Sequence, residues 1–284
     1  MPAFFMVAGY FQHRPEAAPW CDKIYIRKQV ERYVVPFFIW SVIFFLLVHH
    51  EAILKNIVRT VYAGHNNITP YGYPFWFINA LLVGGFTLTC IRWGKEMVNR
   101  RGGDLEQWIV LMFPIVALWS VAQWILPLPR PLPWSLDQMC GAIMYMAIGA
   151  AFRDYVRHWW HGIVAVFCCI VFVCWQLSEG VSYHLNMSSM SYSHPLLDIL
   201  VPFFFSLALY YISIMVDKIL LLRNILSYIG ICSITIFFTH AYILDCVRLL
   251  SFPVQTAIIV VVGMAIHFSL NCFSITRRLF FGKV

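Results

Sequence analysis

Runs of close to twenty residues with at most one formal charge recur along this chain, and no other feature limits its fold so tightly. They cover residues 33–49, 74–91, 108–126, 134–152, 159–177, 195–216, 225–245 and 254–273. A bilayer's hydrocarbon core is about 30 Å thick, which ~20 residues of apolar helix cross. Backbone in lipid must satisfy its own hydrogen bonds, so only helices or closed barrels span it. Barrel strands alternate apolar and polar residues, whereas a run such as VFCCIVFVCW is apolar on every face. The expected fold is therefore all-α, a polytopic transmembrane helix bundle with eight full spans. Charge content agrees: 12% of residues are charged, against about 25% in soluble domains. Residues 1–11 (MPAFFMVAGYF) add a short partial span, since eleven residues rise only about 16 Å as a helix.

The basic residues supply an orientation. Segments 12–33, 92–106, 153–158, 217–224 and 274–284 hold five, four, two, two and three Lys and Arg, sixteen of the twenty in the chain. The intervening segments hold only Lys55, Arg59, Arg130 and Arg248. That alternation follows the positive-inside rule and predicts a cytoplasmic C-terminus, with 50–73, 127–133, 178–194 and 246–253 on the outer side. It also explains the net charge of +7 without nucleic acid, because the cations sit in short blocks between spans rather than in a binding patch. Trp and Tyr gather at the span ends, at the level of the lipid headgroups. Most of the nine cysteines lie inside apolar runs, where a thiol packs as a small hydrophobe, and no spacing suggests a metal. Asn67-Ile68-Thr69 matches a glycosylation acceptor in a predicted outer loop.

Ionisable groups deep in a bundle are costly and so mark function by default. Two stand out, His240 in ITIFFTHAYILD and His267 in VVGMAIHFSL. Each has a plain alternative, a neutral imidazole hydrogen-bonded to a neighbouring helix. Asp137, Asp198 and Asp245 lie near span ends, where carboxylates cap helices, and His49 and His50 close the first full span. The stretch Tyr25-Ile26-Arg27-Lys28-Gln29-Val30-Glu31-Arg32 has two readings as well. It is either a topology signal beside anionic headgroups or a cationic mouth for a phosphorylated donor, Arg being suited to bidentate phosphate contacts.

Several stretches, taken in order, resemble one family. FFMVAGYF followed by IRKQVERYVVPFFIW is similar to the "SGY … R-x-x-x-P" region of the integral-membrane acyltransferases of family three. PFWFINALLVG, PWSLDQMCGAIMYMAIGAAF and LSYIGICSITIFFTHAYIL resemble three later helices of the same family, in the branch described as fucose 4-O-acetylase-like. The resemblance implies a membrane O-acyltransferase of the bacterial inner membrane. It would move an acetyl group from acetyl-CoA, the donor substrate, to a hydroxyl of an envelope or exported glycan, with no bound cofactor and no metal. By the same resemblance Arg27, Lys28 and Arg32 would hold the donor phosphates, while Trp76, Asn79 and His240 would line the site, His240 being the catalytic candidate. The partners expected are acetyl-CoA, a glycan acceptor and the lipid bilayer. Ala8 stands where the family has Ser. Family members also open with a further helix bearing an Arg and a His regarded as the base, and neither residue is in this sequence. The expectation is one membrane-embedded domain over 1–284, truncated at its N-terminus relative to the family, and either an enzyme or its inactive remnant. The alternative is a non-enzymatic multi-pass protein, a transporter or assembly partner. Ion-coupled transport would call for ionisable groups near the midplane of several helices, and this chain offers essentially His240 and His267.

Overall fold

The structure, a computed structural model, describes residues 1–12, 17–48, 53–63, 73–99, 133–155, 158–179, 183–188, 191–192, 194 and 196–281. They are almost wholly helical: α1 (Pro2–Phe11), α2 (Lys23–Gln29), α3 (Val35–Val48), α4 (Ile53–Ala63), α5 (Trp76–Asn99), α6 (Leu136–Tyr155), α7 (Trp160–Glu179), α8 (Leu197–Asp217), α9 (Leu220–Cys246), α10 (Phe252–Asn271) and α11 (Ser274–Phe281). A two-residue antiparallel ladder pairs β1 (Leu185–Asn186) with β2 (Ser191–Tyr192).

Six helices among the described residues are long and apolar enough to cross a membrane: Lys23–Leu47, Trp76–Gly94, Trp160–Ser178, Leu197–Asp217, Leu220–Cys246 and Phe252–Asn271. The chain is a multi-pass membrane protein. Six of the eight expected runs coincide with these helices. The run 134–152 forms α6, but Asp137, Gln138 and Arg153 dilute its apolar character. The run 108–126 lies outside the described residues, as do His49, His50 and Asn67-Ile68-Thr69.

The chain divides into two compact units, Met1–Asp22 with Ala80–Val216, and Lys23–Asn79 with Asp217–Val284. In the first, α1 and α6 touch backbone to backbone. A Cβ on Gly9 would stand 1.9 Å from the Met146 carbonyl oxygen, and one on Gly149 would stand 1.8 Å from that of Met6. Only glycine permits such an approach, the small-residue packing typical of helices in lipid. Gln12 fastens the end of α1 to α5: its amide nitrogen donates to the Gly85 carbonyl (2.6 Å) and to the Thr89 hydroxyl, and Arg92 donates to the Gln12 carbonyl (3.0 Å).

Pro202 lies inside α8 and has no N–H to give the Asp198 carbonyl one turn earlier. The Tyr145 hydroxyl on α6, fully buried, donates to that carbonyl instead (2.5 Å). The Asp198 carboxylate caps the same helix, accepting the His194 N–H (3.2 Å), as expected of a carboxylate at a span end. The turn into α6 places Trp134 and Ser135 at φ 56° and 57°, the left-handed region that non-glycine residues seldom occupy.

In the second unit α2 and α3 form one helix interrupted by a π-turn at Val30–Val34, where the Val35 N–H reaches back to the Val30 carbonyl. Pro36 explains the interruption. Its ring would strike the Arg32 carbonyl in a regular helix and it offers that carbonyl no N–H, so the wider turn relieves the clash. The core of this unit is aromatic. Trp40 stacks on Phe238 (5.6 Å, 16°), and Phe75 meets Phe238 edge-on (4.8 Å, 88°). Phe280 of α11 meets Trp40 edge-on (5.3 Å). Such pairs contribute about 0.5–1.5 kcal/mol each beyond their buried area. Gly263 of α10 lets that helix close on Ile236 of α9, where a Cβ would stand 2.6 Å from Ile236 Cγ1.

Candidate active site

The segment of α9 around Thr235–His240 carries four polar side chains through a stretch expected in lipid, if His267 opposite is included. Thr239 satisfies itself by donating to the Thr235 carbonyl one turn back (2.9 Å). The Thr235 hydroxyl lies 3.0 Å from Nδ1 of His267, which is 3% exposed and has its ring 4.3 Å from that of Phe281. For His267 the plain alternative therefore holds: it is an interhelical hydrogen-bond partner packed in the core.

His240 differs. It is half-buried, and its Nδ1 lies 2.5 Å from the Phe237 carbonyl of its own helix. A carbonyl only accepts, so Nδ1 must carry the hydrogen. In the neutral ring the lone pair is then on Nε2, and the backbone holds the imidazole in the tautomer a proton acceptor needs.

The first turn of α5 packs against this same turn of α9. Phe77 lies 5.2 Å from Phe237, and Phe75 meets Phe238 as above. Trp76 and Asn79 ride on that turn, 2% and 1% exposed. Trp76 also meets the Phe77 ring edge-on (6.2 Å). Asn79 is the unusual member, because its buried side-chain nitrogen has no hydrogen-bond partner. A buried amide is costly to leave unbonded, so this nitrogen is available to a ligand or water.

The three cations stand apart from His240, near the start of the long helix. Arg27, 62% exposed, donates from Nε to Glu31 (2.9 Å). Lys28 is exposed. Arg32 is exposed inside the π-turn, with Cζ 5.4 Å from the Tyr33 ring centroid. Trp40, which stacks on Phe238, follows Arg32 by eight residues, about 12 Å of helix. The first turn of α5 thus meets α9 through Phe77 and Phe237, the Phe237 ring lying 5.7 Å from that of His240 on the same helix, while the cations stand at the start of the long helix. The π-turn was not expected, although a proline four residues after Arg32 was its signal. Among the described residues no three His, Cys, Asp or Glu side chains gather as they would around a metal ion.

Comparison with known proteins now decides the family. Residues 1–275 match the family-three model, described as an acyltransferase domain. The chain belongs to acyltransferase family three. No curated protein and no solved structure matches it significantly. A membrane acyltransferase of this family needs an acyl donor, an acceptor and a group to manage the acceptor's proton.

Proposed function

We propose that this family-three acyltransferase moves an acetyl group from acetyl-CoA to a hydroxyl of an envelope or exported glycan. The observation that carries the reading is His240, whose Nδ1 lies 2.5 Å from the Phe237 carbonyl and leaves Nε2 for the acceptor, with the buried Asn79 amide, on the helix turn whose Phe77 meets Phe237, as the candidate donor. Nε2 of His240 takes the proton of the acceptor hydroxyl as its oxygen attacks the thioester carbon. The carbonyl oxygen gains negative charge, and the Asn79 amide donates to it, as donors aimed at a developing oxyanion do. Collapse of the tetrahedral intermediate breaks the carbon–sulfur bond. CoA leaves as the thiolate, which takes the proton back from His240, and the acetyl ester remains on the glycan.

Arg27, Lys28 and Arg32 hold the donor phosphates at the cytoplasmic end of the long helix, while Trp76 walls the acetyl group. The bundle sits in a bacterial inner membrane with eight full spans and its C-terminus in the cytoplasm, the arrangement the basic segments favour. In nanodiscs, with labelled acetyl-CoA and glycan fragments, the full chain should acetylate hydroxyls. His240→Ala and Asn79→Ala should each lower kcat while leaving donor affinity within about twofold of wild type. Unchanged kcat per mole of folded protein in both variants would overturn the assignment.

A further inference from the structure

The helix α4 is too short to span and gathers its apolar residues on one side. α4 (Ile53–Ala63) presents Leu54, Val58, Val61 and Tyr62 outward, 76%, 61%, 53% and 75% exposed, while Thr60 on its opposite side is 0% exposed. At 100° per residue those four positions form a single stripe. Lys55, exposed, borders the stripe. The helix thus turns an apolar stripe, with Lys55 at its edge, away from the side that packs.

Its attachments fix where it lies. Residues 49–52 join its start to α3, and five Cα steps reach at most ~18 Å. The next candidate span begins at Trp76. Two spans in series leave their connection on one membrane face, and eleven residues of helix rise only about 16 Å, half of what a crossing needs. The helix is therefore held at the membrane surface, where its stripe meets acyl chains and Lys55 meets phosphates, the arrangement of an interfacial helix.

We propose that α4 is an in-plane surface helix that docks on anionic phospholipid, with Leu54, Val58 and Val61 at the acyl boundary and Lys55 on headgroup phosphates. This holds whichever face of the membrane the connection occupies and does not depend on the acetyl-transfer reading. The test uses the full chain in nanodiscs of equal phosphatidylglycerol and phosphatidylcholine, with a photo-crosslinking phenylalanine analogue in place of Val58 and, in a second preparation, of Leu54. Illumination followed by mass spectrometry should give lipid adducts at both positions, enriched in phosphatidylglycerol. Lys55→Gln should lower that enrichment about fivefold, the share of one basic residue near an anionic surface. Adducts to the chain itself or to a second copy, or no adduct at either position, would overturn the proposal. Lipid adducts without any preference for phosphatidylglycerol would remove its anionic component and refute it as stated.

Discussion

The hydrogen bond from Tyr145 to the Asp198 carbonyl exists because Pro202 leaves that carbonyl without its helical donor, and this dependence can be measured. Tyr145→Phe keeps the ring, which is 0% exposed, and removes only the hydroxyl. The carbonyl would then have neither partner. Interhelical hydrogen bonds in membranes average ~0.6 kcal/mol and reach ~1.7, because the competing state finds substitutes. Here no substitute is available, so a loss near the upper end is expected, about 1.5 kcal/mol. Pro202→Ala restores an N–H at the right position, and in that background Tyr145→Phe should cost about 0.5 kcal/mol or less. The coupling is then about 1 kcal/mol, well above the ~0.3–0.5 within which independent sites add. Equilibrium unfolding in mixed detergent–SDS micelles, followed by tryptophan fluorescence for wild type, both single variants and the double variant, gives the four free energies. Equal costs of Tyr145→Phe in the two backgrounds would refute the claim that the hydroxyl stands in for the missing amide.

Gly149→Ala forces a methyl to 1.8 Å from the Met6 carbonyl oxygen, where ordinary contact begins at 3.4 Å. It should cost at least the ~1–3 kcal/mol of core overpacking. Gly230→Ala, with nothing within 4 Å of the added carbon, should instead stabilise α9 by up to about 1 kcal/mol, and thermal unfolding in detergent ranks the two. If the cations hold the donor, Arg32→Ala should raise the acetyl-CoA Kd about ten- to a hundredfold, the loss of a charge-assisted contact, with kcat at saturating donor unchanged; isothermal titration and initial rates check both. Burial first, and the charge of Asp198 second, push the Tyr183 phenol well above its ordinary 10.0. A raised pKa on this acid means that its neutral form is favoured by folding, so its contribution is whole below pH 10 and is lost as pH rises beyond it. Wild type should therefore lose more stability than Tyr183→Phe between pH 9 and 11, and parallel Tm curves would contradict this.

What the sequence made legible was decided by length and charge. Runs near twenty residues became helices at 76–94, 160–178, 197–217, 220–246 and 252–271 because lipid leaves an apolar run no other way to satisfy its backbone. The run 134–152 was harder, since Asp137 and Gln138 interrupt it and Arg153 follows directly, yet it forms α6. Side-chain partners were much less legible. His240 and His267 looked alike in sequence, each alone in an apolar helix. They diverge because Thr235 faces His267, whereas His240 turns back to its own backbone, and such facing depends on helix rotation that periodicity in an all-apolar span cannot report. The prolines fall between these cases. Pro36 and Pro202 each announce a carbonyl without its donor, but not whether a π-turn or a tyrosine on another helix will answer it. Asn79 entered by resemblance alone; its unpartnered amide needed coordinates.

The contact between α1 and α6 has a mechanical meaning. Two glycines, Gly9 and Gly149, each meet a carbonyl of the opposite helix one turn from the other glycine, so the helices are pinned at two points rather than one. A single pin permits swivelling; two pins permit neither sliding nor rotation without lifting the helices apart. Because the partner atoms are backbone, the side chains of Met6 and Met146 can change without loosening the joint. In any motion of this unit, α1 and α6 move as one rigid bar.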